Sequence, residues 1–323
     1  MIGEMRDSPS VTVLMPCRNA NRLFLKQALD SVFSQTTPFW NLIVIEDGAT
    51  REVKNVLNEL VSLNDKRISV VSNEARFISG ALNTGMRRAS TPYVCALHCD
   101  DLLDKRALEV LAHHISRYPA TDFFYSSRMA IDEKGSAIGG IMRATEKFTL
   151  SDFKKKCPVK HLHCWKVSSA LQIGGIDESL GPHGADDYDF PWCMAEAGFS
   201  FKTIQECLYY YRDHREYYRL TTHVPLDNQI NELRKIFRKH GLPDAEIEQE
   251  VHEKCHGYLQ QALFLDESDK ERKKQENFDI RKGWRLPYEG YSSPENLFQK
   301  CKREILRWSF KFSRKFEDTG AGQ

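Results

Sequence analysis

Two adjacent acids, Asp100 and Asp101, follow an apolar run that closes on His98-Cys99. Like charges side by side repel, and a divalent cation carrying a phosphate ligand relieves them best. An Asp-Asp turn capping a helix over 105–118 is the plain alternative. A second pair, Asp186-Asp187, opens another helical segment. A carboxylate there can take a proton from a hydroxyl, or simply complement the positive end of the helix dipole. A third couple, Glu46-Asp47, precedes Gly48. Acids at three strand ends, Glu46-Asp47, Glu74 and Asp100-Asp101, converging on one edge would suit ribose hydroxyls, a cation and phosphates.

Whether they gather depends on the elements beneath them. "VTVLMPC", "NLIVIE", "RISVVS" and "PYVCALH" are short, unbroken apolar strands, and helical spacing runs between them. That alternation predicts an α/β fold, a doubly wound, mostly parallel sheet covered on both faces. Ligands in such sheets collect beyond the carboxyl ends of the strands. The four endings are Pro16-Cys17-Arg18-Asn19, Glu46-Asp47-Gly48, Asn73-Glu74-Ala75-Arg76 and His98-Cys99-Asp100-Asp101. Past Thr121 the pattern predicts a hairpin turning at Asp132–Gly135, a helix from Asp187 to a Gly198 cap, and an aromatic strand ending Arg212-Asp213-His214. From Pro225 the chain is helical and highly charged, so the expected division is a catalytic domain over 1–224 and a helical extension over 225–323.

The totals exclude several classes. A net charge of +1 over 323 residues gives no nucleic-acid footprint. The nine cysteines show no CxxC pair, which favours a reducing compartment over a disulfide framework. No secretory leader or stretch of about 20 apolar residues is visible, so the expected location is the cytoplasm or the cytosolic face of a membrane. "PENLFQKCKREILRWSFKFSRKF" places Phe298, Ile305, Trp308 and Phe312 on one helical stripe among lysines and arginines. Such a helix can dock on a membrane surface, or pack on the catalytic domain or a second subunit of a homo-oligomer.

"VTVLMPCRNANRLFLKQALDSVFSQT", "NLIVIEDGAT", "SGALNTGMRRASTPYVCALHCDD", "GGIDESLGPHGADDYDFPWCMAEAGF" and "LYYYRDH" occur in an order that resembles the family 2 inverting glycosyltransferases of the GT-A fold. The resemblance covers roughly residues 10–222. It implies that Pro16, Arg18 and Asn19 lie along the nucleotide, and that Glu46 and Asp47 hold its base and ribose, with Arg76 nearby. It further implies that Asp100 and Asp101 bridge Mn²⁺ or Mg²⁺ to the diphosphate, with His214 as a further contact. Asp187 then corresponds to the general base and Asp186 to its capping neighbour. Partners implied are a nucleotide-sugar donor, taken as a UDP-sugar, and a glycan or lipid-linked acceptor.

The chain departs from the family where His98 stands for a leading aspartate and Asp186 for the more frequent glutamate. It also lacks the Gln-x-x-Arg-Trp motif of processive synthases, which implies transfer of a single sugar. Trp165 is left open between stacking on a sugar and packing, His183 between lining the acceptor site and solvation, and Trp192 is read as core. Two rival readings stand. A nucleotidyltransferase would want a glycine-rich loop after the first strand, and "PCRNANR" has none. A non-catalytic nucleotide- or glycan-binding module would explain the missing leading acid.

Overall fold

The computed structural model describes residues 11–18, 20–183, 186–213 and 226–251. The strands are β1 (Val11–Cys17), β2 (Trp40–Glu46), β3 (Ile68–Ser72), β4 (Tyr93–Ala96), β5 (Leu102–Leu103), β6 (Phe123–Ile131), β7 (His163–Lys166) and β8 (Phe201–Arg212). Between them lie α1 (Arg22–Phe33), α2 (Arg51–Ser62), α3 (Phe77–Arg88), α4 (Ala107–Arg117), α5 (Leu150–Lys155), α6 (Val167–Gln172) and α7 (Asp186–Glu196). A 3-10 helix over Glu178–His183 leads toward α7, and α8 (Leu226–Lys239) follows β8.

The order across the sheet is β3-β2-β1-β4-β7-β6-β8-β5. Its first four strands are parallel, as the strand–helix alternation predicts. β7 runs antiparallel between β4 and β6, while β8 is parallel to β6 and antiparallel to the two-residue β5. The sheet is therefore mixed on this side. Neither β5 nor β7 is long enough to show a periodic signal. The hairpin turn forms where expected: Asp132 N donates to Ser136 O at 2.8 Å, and Gly135 takes φ +83°. Its return arm makes only single bridges, Ile131 to Ala137 and Arg128 to Met142.

Side-chain alternation along β1 feeds two cores. Val11, Val13, Met15 and Cys17 face α1, α2 and α4, whereas Leu14 faces the layer of α3 and α7. Pro16 sits in this central strand without disrupting it, because the register with β4 ends at Leu14–Ala96 and leaves no ladder partner there to miss its N–H. Asn21 starts α1 by accepting from Leu23 N and Phe24 N at 2.8 and 3.2 Å, and Thr50 starts α2 by accepting from Val53 N. Beyond the expected boundary at 224, Leu233, Ile236, Phe237, Leu242, Ile247 and Val251 are buried in the second core. Residues 226–251 thus share the interior of the preceding fold. The amphipathic segment over 294–323 lies outside the described residues.

Candidate functional site

At the carboxyl edge of β1 and β2, Asp47 N donates to Cys17 O at 2.9 Å. The Asp47 carboxylate accepts from Asn73 Nδ2 at 2.9 Å and lies 3.9 Å from the Arg18 guanidinium. Arg18 in turn spans the Phe77 ring at 5.2 Å. Phe77 opens α3 at φ +61°, a left-handed conformation that costs a residue with a Cβ roughly 1–2 kcal/mol. The backbone is strained where a ligand would approach the sheet edge. Glu46 turns back to accept from Ala49 N at 2.6 Å across the Gly48 turn, with Lys54 Nζ 3.7 Å away. Arg76 is exposed at the head of α3. Arg18, Glu46 and Asp47 share one rim, and Arg76 follows the neighbouring strand β3; Asn19 lies outside the described residues.

The acidic pair after β4 divides. Asp101 is 2 % exposed, and its two carboxylate oxygens accept from the Tyr209 hydroxyl and from Arg212 N, each at 2.6 Å. Burial, with the neighbouring Asp100 charge adding to it, pushes the Asp101 carboxyl up to about 8. Arg212 is itself buried. It donates to Asp100 O at 2.7 Å, to Asp132 O and Glu133 O at 3.0 and 3.1 Å, and to Gln27 Oε1 at 2.8 Å. Asp101 is thereby an anchor for the end of β8, with both carboxylate oxygens engaged by protein donors. Asp100 is half-buried at the turn and is the member able to offer a hard oxygen. His214, the expected companion ligand, lies outside the described residues.

A third group closes the cleft. Asp186 is buried at the start of α7, where burial and then the Asp187 charge push its carboxyl up to about 7, against an opposing His98. Asp187 is exposed, yet enough protein surrounds it for desolvation to raise its carboxyl. Arg128, His98 and Lys160 oppose that rise. His98 therefore acts electrostatically on the α7 acids while standing two residues before Asp100, so the end of β4 and the start of α7 face each other. Pro191 has no N–H for the carbonyl of Asp187 one turn earlier, and Cys157 Sγ donates to that oxygen at 3.6 Å instead.

Sequence reasoning missed the residues that fill this cleft wall. His98 meets His161 edge-on at 5.5 Å, and His161 stacks on His163 at 4.4 Å and packs against Tyr209 at 5.2 Å. Burial holds both rings neutral, His163 down to about 3. Arg128 Nη1 lies 3.5 Å from His161 Nδ1. The His-x-His spacing at 161 and 163 was the available signal, since alternate residues of an extended segment share a face.

Other expectations are revised. Trp165 is 1 % exposed, stacks on Phe123 at 6.3 Å and directs its indole N–H to Met86 Sδ, so it is core and cannot stack on a sugar. Trp192 is core as expected. Contact with Cys17 and burial raise the Cys99 thiol well above its usual range, which suits packing rather than nucleophilic attack. The His183 side chain is outside the described set. Among the described residues, the group whose spacing could hold a metal with three side chains is Asp189, Cys193 and His240. Asp189 is already neutralised there by Lys239 Nζ at 2.7 Å and contacted by His240 Nε2 at 3.1 Å. A cation at the cleft would instead rely on Asp100 and on oxygens of its ligand, a sparse set that suits Mg²⁺ or Mn²⁺.

One amide ties the two sides together. Asn83 on α3 donates to Ile176 O and to Glu178 Oε1, both at 2.8 Å, and accepts from Ile176 N at 2.9 Å. Gly175, at φ +84°, permits the approach: a Cβ there would lie 2.7 Å from Asn83 Oδ1.

Comparison with known proteins gives a consistent picture. The profile of Glycosyl transferase family 2 matches residues 12–168. An uncharacterised glycosyltransferase of Methanocaldococcus jannaschii is 30% identical over 220 residues, 66% of this chain and 73% of that one. A putative teichuronic acid biosynthesis glycosyltransferase, TuaG of Bacillus subtilis, is 29% identical over 63% of this chain and 79% of its own. Among solved structures, S. aureus TarS 1–349 in complex with UDP-GlcNAc superposes with TM-score 0.58 at 17% identity, over 75% of this chain and 70% of that one. The mannosyltransferase PcManGT from Pyrobaculum calidifontis, in complex with GDP-Man and Mn²⁺, gives TM-score 0.51 at 17% identity, over 77% and 70%.

Proposed function

The chain belongs to glycosyl transferase family 2 and has the GT-A fold, and from that premise we propose that it is a metal-dependent, inverting enzyme. It moves one sugar from a nucleotide-sugar donor to a glycan or lipid-linked acceptor in polysaccharide biosynthesis. The observation that carries this reading is the position of His98, two residues before Asp100 and near enough to the exposed Asp187 at the head of α7 to act on its carboxyl. Relatives support it: TarS is solved with UDP-GlcNAc and PcManGT with GDP-Man and Mn²⁺.

Each residue then has a task. Asp47, Arg18 and Arg76 form the rim that takes the nucleoside, with Glu46 fixing the Gly48 turn. Asp100 contributes a hard oxygen to the cation, and Asp101 fixes the Asp100 turn to β8. When bound, Mn²⁺ or Mg²⁺ neutralises charge on the departing diphosphate as a Lewis acid. Asp187 takes the proton of the acceptor hydroxyl as its oxygen attacks the anomeric carbon from the face opposite the diphosphate. Displacement in line needs no covalent sugar–protein intermediate. Desolvation raises the Asp187 carboxyl toward a base of greater proton affinity, and Arg128, His98 and Lys160 limit that rise.

Incubation with Mn²⁺ and a panel of nucleotide-sugars tests the reading through release of free nucleoside diphosphate. Chelation abolishes release, and Asp187→Asn lowers turnover by about 10²–10⁴ while Mn²⁺-dependent nucleotide binding persists. Tight nucleotide binding without turnover on any donor and acceptor mixture would return the module reading.

A further inference from the structure

Arg128 on β6 and Lys160 before β7 stand beside Asp187 without closing on it. The segment carrying Lys160 is held there by Cys157 Sγ, which donates to Asp187 O at 3.6 Å and to Val159 O at 3.2 Å. Arg128 is fixed by His161 Nδ1 at 3.5 Å and by the Tyr211 ring at 5.0 Å, partners that position a guanidinium without neutralising it. Among the described residues neither cation forms an ion pair within 4.0 Å. Burial and then Arg128 push the Lys160 ammonium down, with Cys157 and Asp187 opposing and Lys156 adding to the fall. Arg128 Nε is buried without a hydrogen-bond partner, and two cations face the one Asp187 charge, an arrangement that is costly in a partly desolvated wall unless a further anion completes it.

That anion is not the departing diphosphate. In-line displacement places the leaving group across the sugar ring from the base, and these cations flank the base. In the proposed function, the side of the base is the side from which the acceptor approaches. Resting on the functional reading above, we infer that the acceptor is anionic, carrying a phosphate or carboxylate next to the attacking hydroxyl that Arg128 and Lys160 engage. Arg128 can meet such a group with two parallel N–H donors, and Lys160 with a compact charge.

The test uses the full chain and two readouts. Mn²⁺-dependent binding of UDP or GDP is measured first and reads the functional proposal alone. Isothermal titration then compares sn-glycerol 3-phosphate with glycerol, and methyl β-D-glucuronide with methyl β-D-glucoside, each with and without nucleotide. At least one anionic probe binds about tenfold or more tightly than its neutral counterpart, and which one does so distinguishes phosphate from uronate. Arg128→Gln with Lys160→Gln, checked for an unchanged melting temperature, brings the anion within about threefold of the neutral probe. Lys160→Arg retains the preference. If the double variant unfolds, the same comparison is made with Lys160→Gln alone. Equal binding of charged and neutral probes, or a folded variant that keeps the preference, overturns the inference whether or not nucleotide binds.

Discussion

Replacing each acid of the 100–101 pair by alanine separates anchoring from cation holding. Asp101→Ala strips a partner from two buried donors, Arg212 N–H and the Tyr209 hydroxyl, each now bonded at 2.6 Å. An unpaired buried donor costs about 1–3 kcal/mol, so the pair predicts a loss of about 2–6 kcal/mol. For a fold of this size that corresponds to a melting temperature lower by about 5 °C or more. Asp100→Ala keeps the carbonyl that accepts from Arg212 Nε, so its melting temperature stays within about 3 °C of wild type. Its Mn²⁺ affinity, measured by titration in the presence of nucleoside diphosphate, falls by about tenfold or more. Thermal unfolding without metal and titration with it complete the assay. Should Asp101→Ala melt like wild type, or Asp100→Ala retain Mn²⁺ affinity, the division of labour described above is wrong.

Asp186 makes stability depend on pH in a defined direction. Its folded carboxyl is raised from 3.8 to about 7, so the native state binds the extra proton, and stability falls as pH rises between those values. About three pKa units correspond to roughly 4 kcal/mol, and Asp186→Asn flattens the urea-midpoint profile between about pH 4 and 7. A profile of unchanged slope would refute the burial argument. Lys239→Met leaves the Asp189 carboxylate, 1 % exposed, with His240 and the weak Cys193 thiol donor as its remaining partners. The expected cost is about 2–4 kcal/mol, short of the full buried-ion penalty because Lys239 keeps a third of its surface in water. Combined with Asp189→Asn, the loss is smaller than the sum of the two, and strict additivity in a double-mutant cycle would count against the pairing.

The parallel half of the sheet was legible because β1, β2 and β3 are unbroken apolar runs separated by helices with clear periodicity. The placing of Arg18, Glu46, Asp47 and Arg76 after the carboxyl ends of β1, β2 and β3 followed from that topology. What failed to show was anything decided by partners distant in the chain. Asp100 and Asp101 are chemically identical in sequence; Tyr209 and Arg212, more than a hundred residues later, determine which one turns inward. Trp165 looks the same in sequence whether it stacks on a sugar or on Phe123. "HCWK" gave no sign of being a strand, because four residues inserted between β4 and β6 carry too short a pattern to read. Nothing in the sequence singled out Arg128 and Lys160, since their approach to Asp187 is visible only in three dimensions.

The Asn83 bridge carries a consequence for tolerance. In the proposed function the nucleotide rim adjoins the head of α3 and the base sits at the head of α7, beyond the segment that Asn83 grips. The gap across which a sugar must be passed is therefore gauged by the reach of one carboxamide. Longer or shorter polar substitutes would reset that gauge, so donor and acceptor pockets could each remain intact while ceasing to meet. In such a variant, binding measurements on either substrate alone would look normal, and the defect would surface only in the ternary complex.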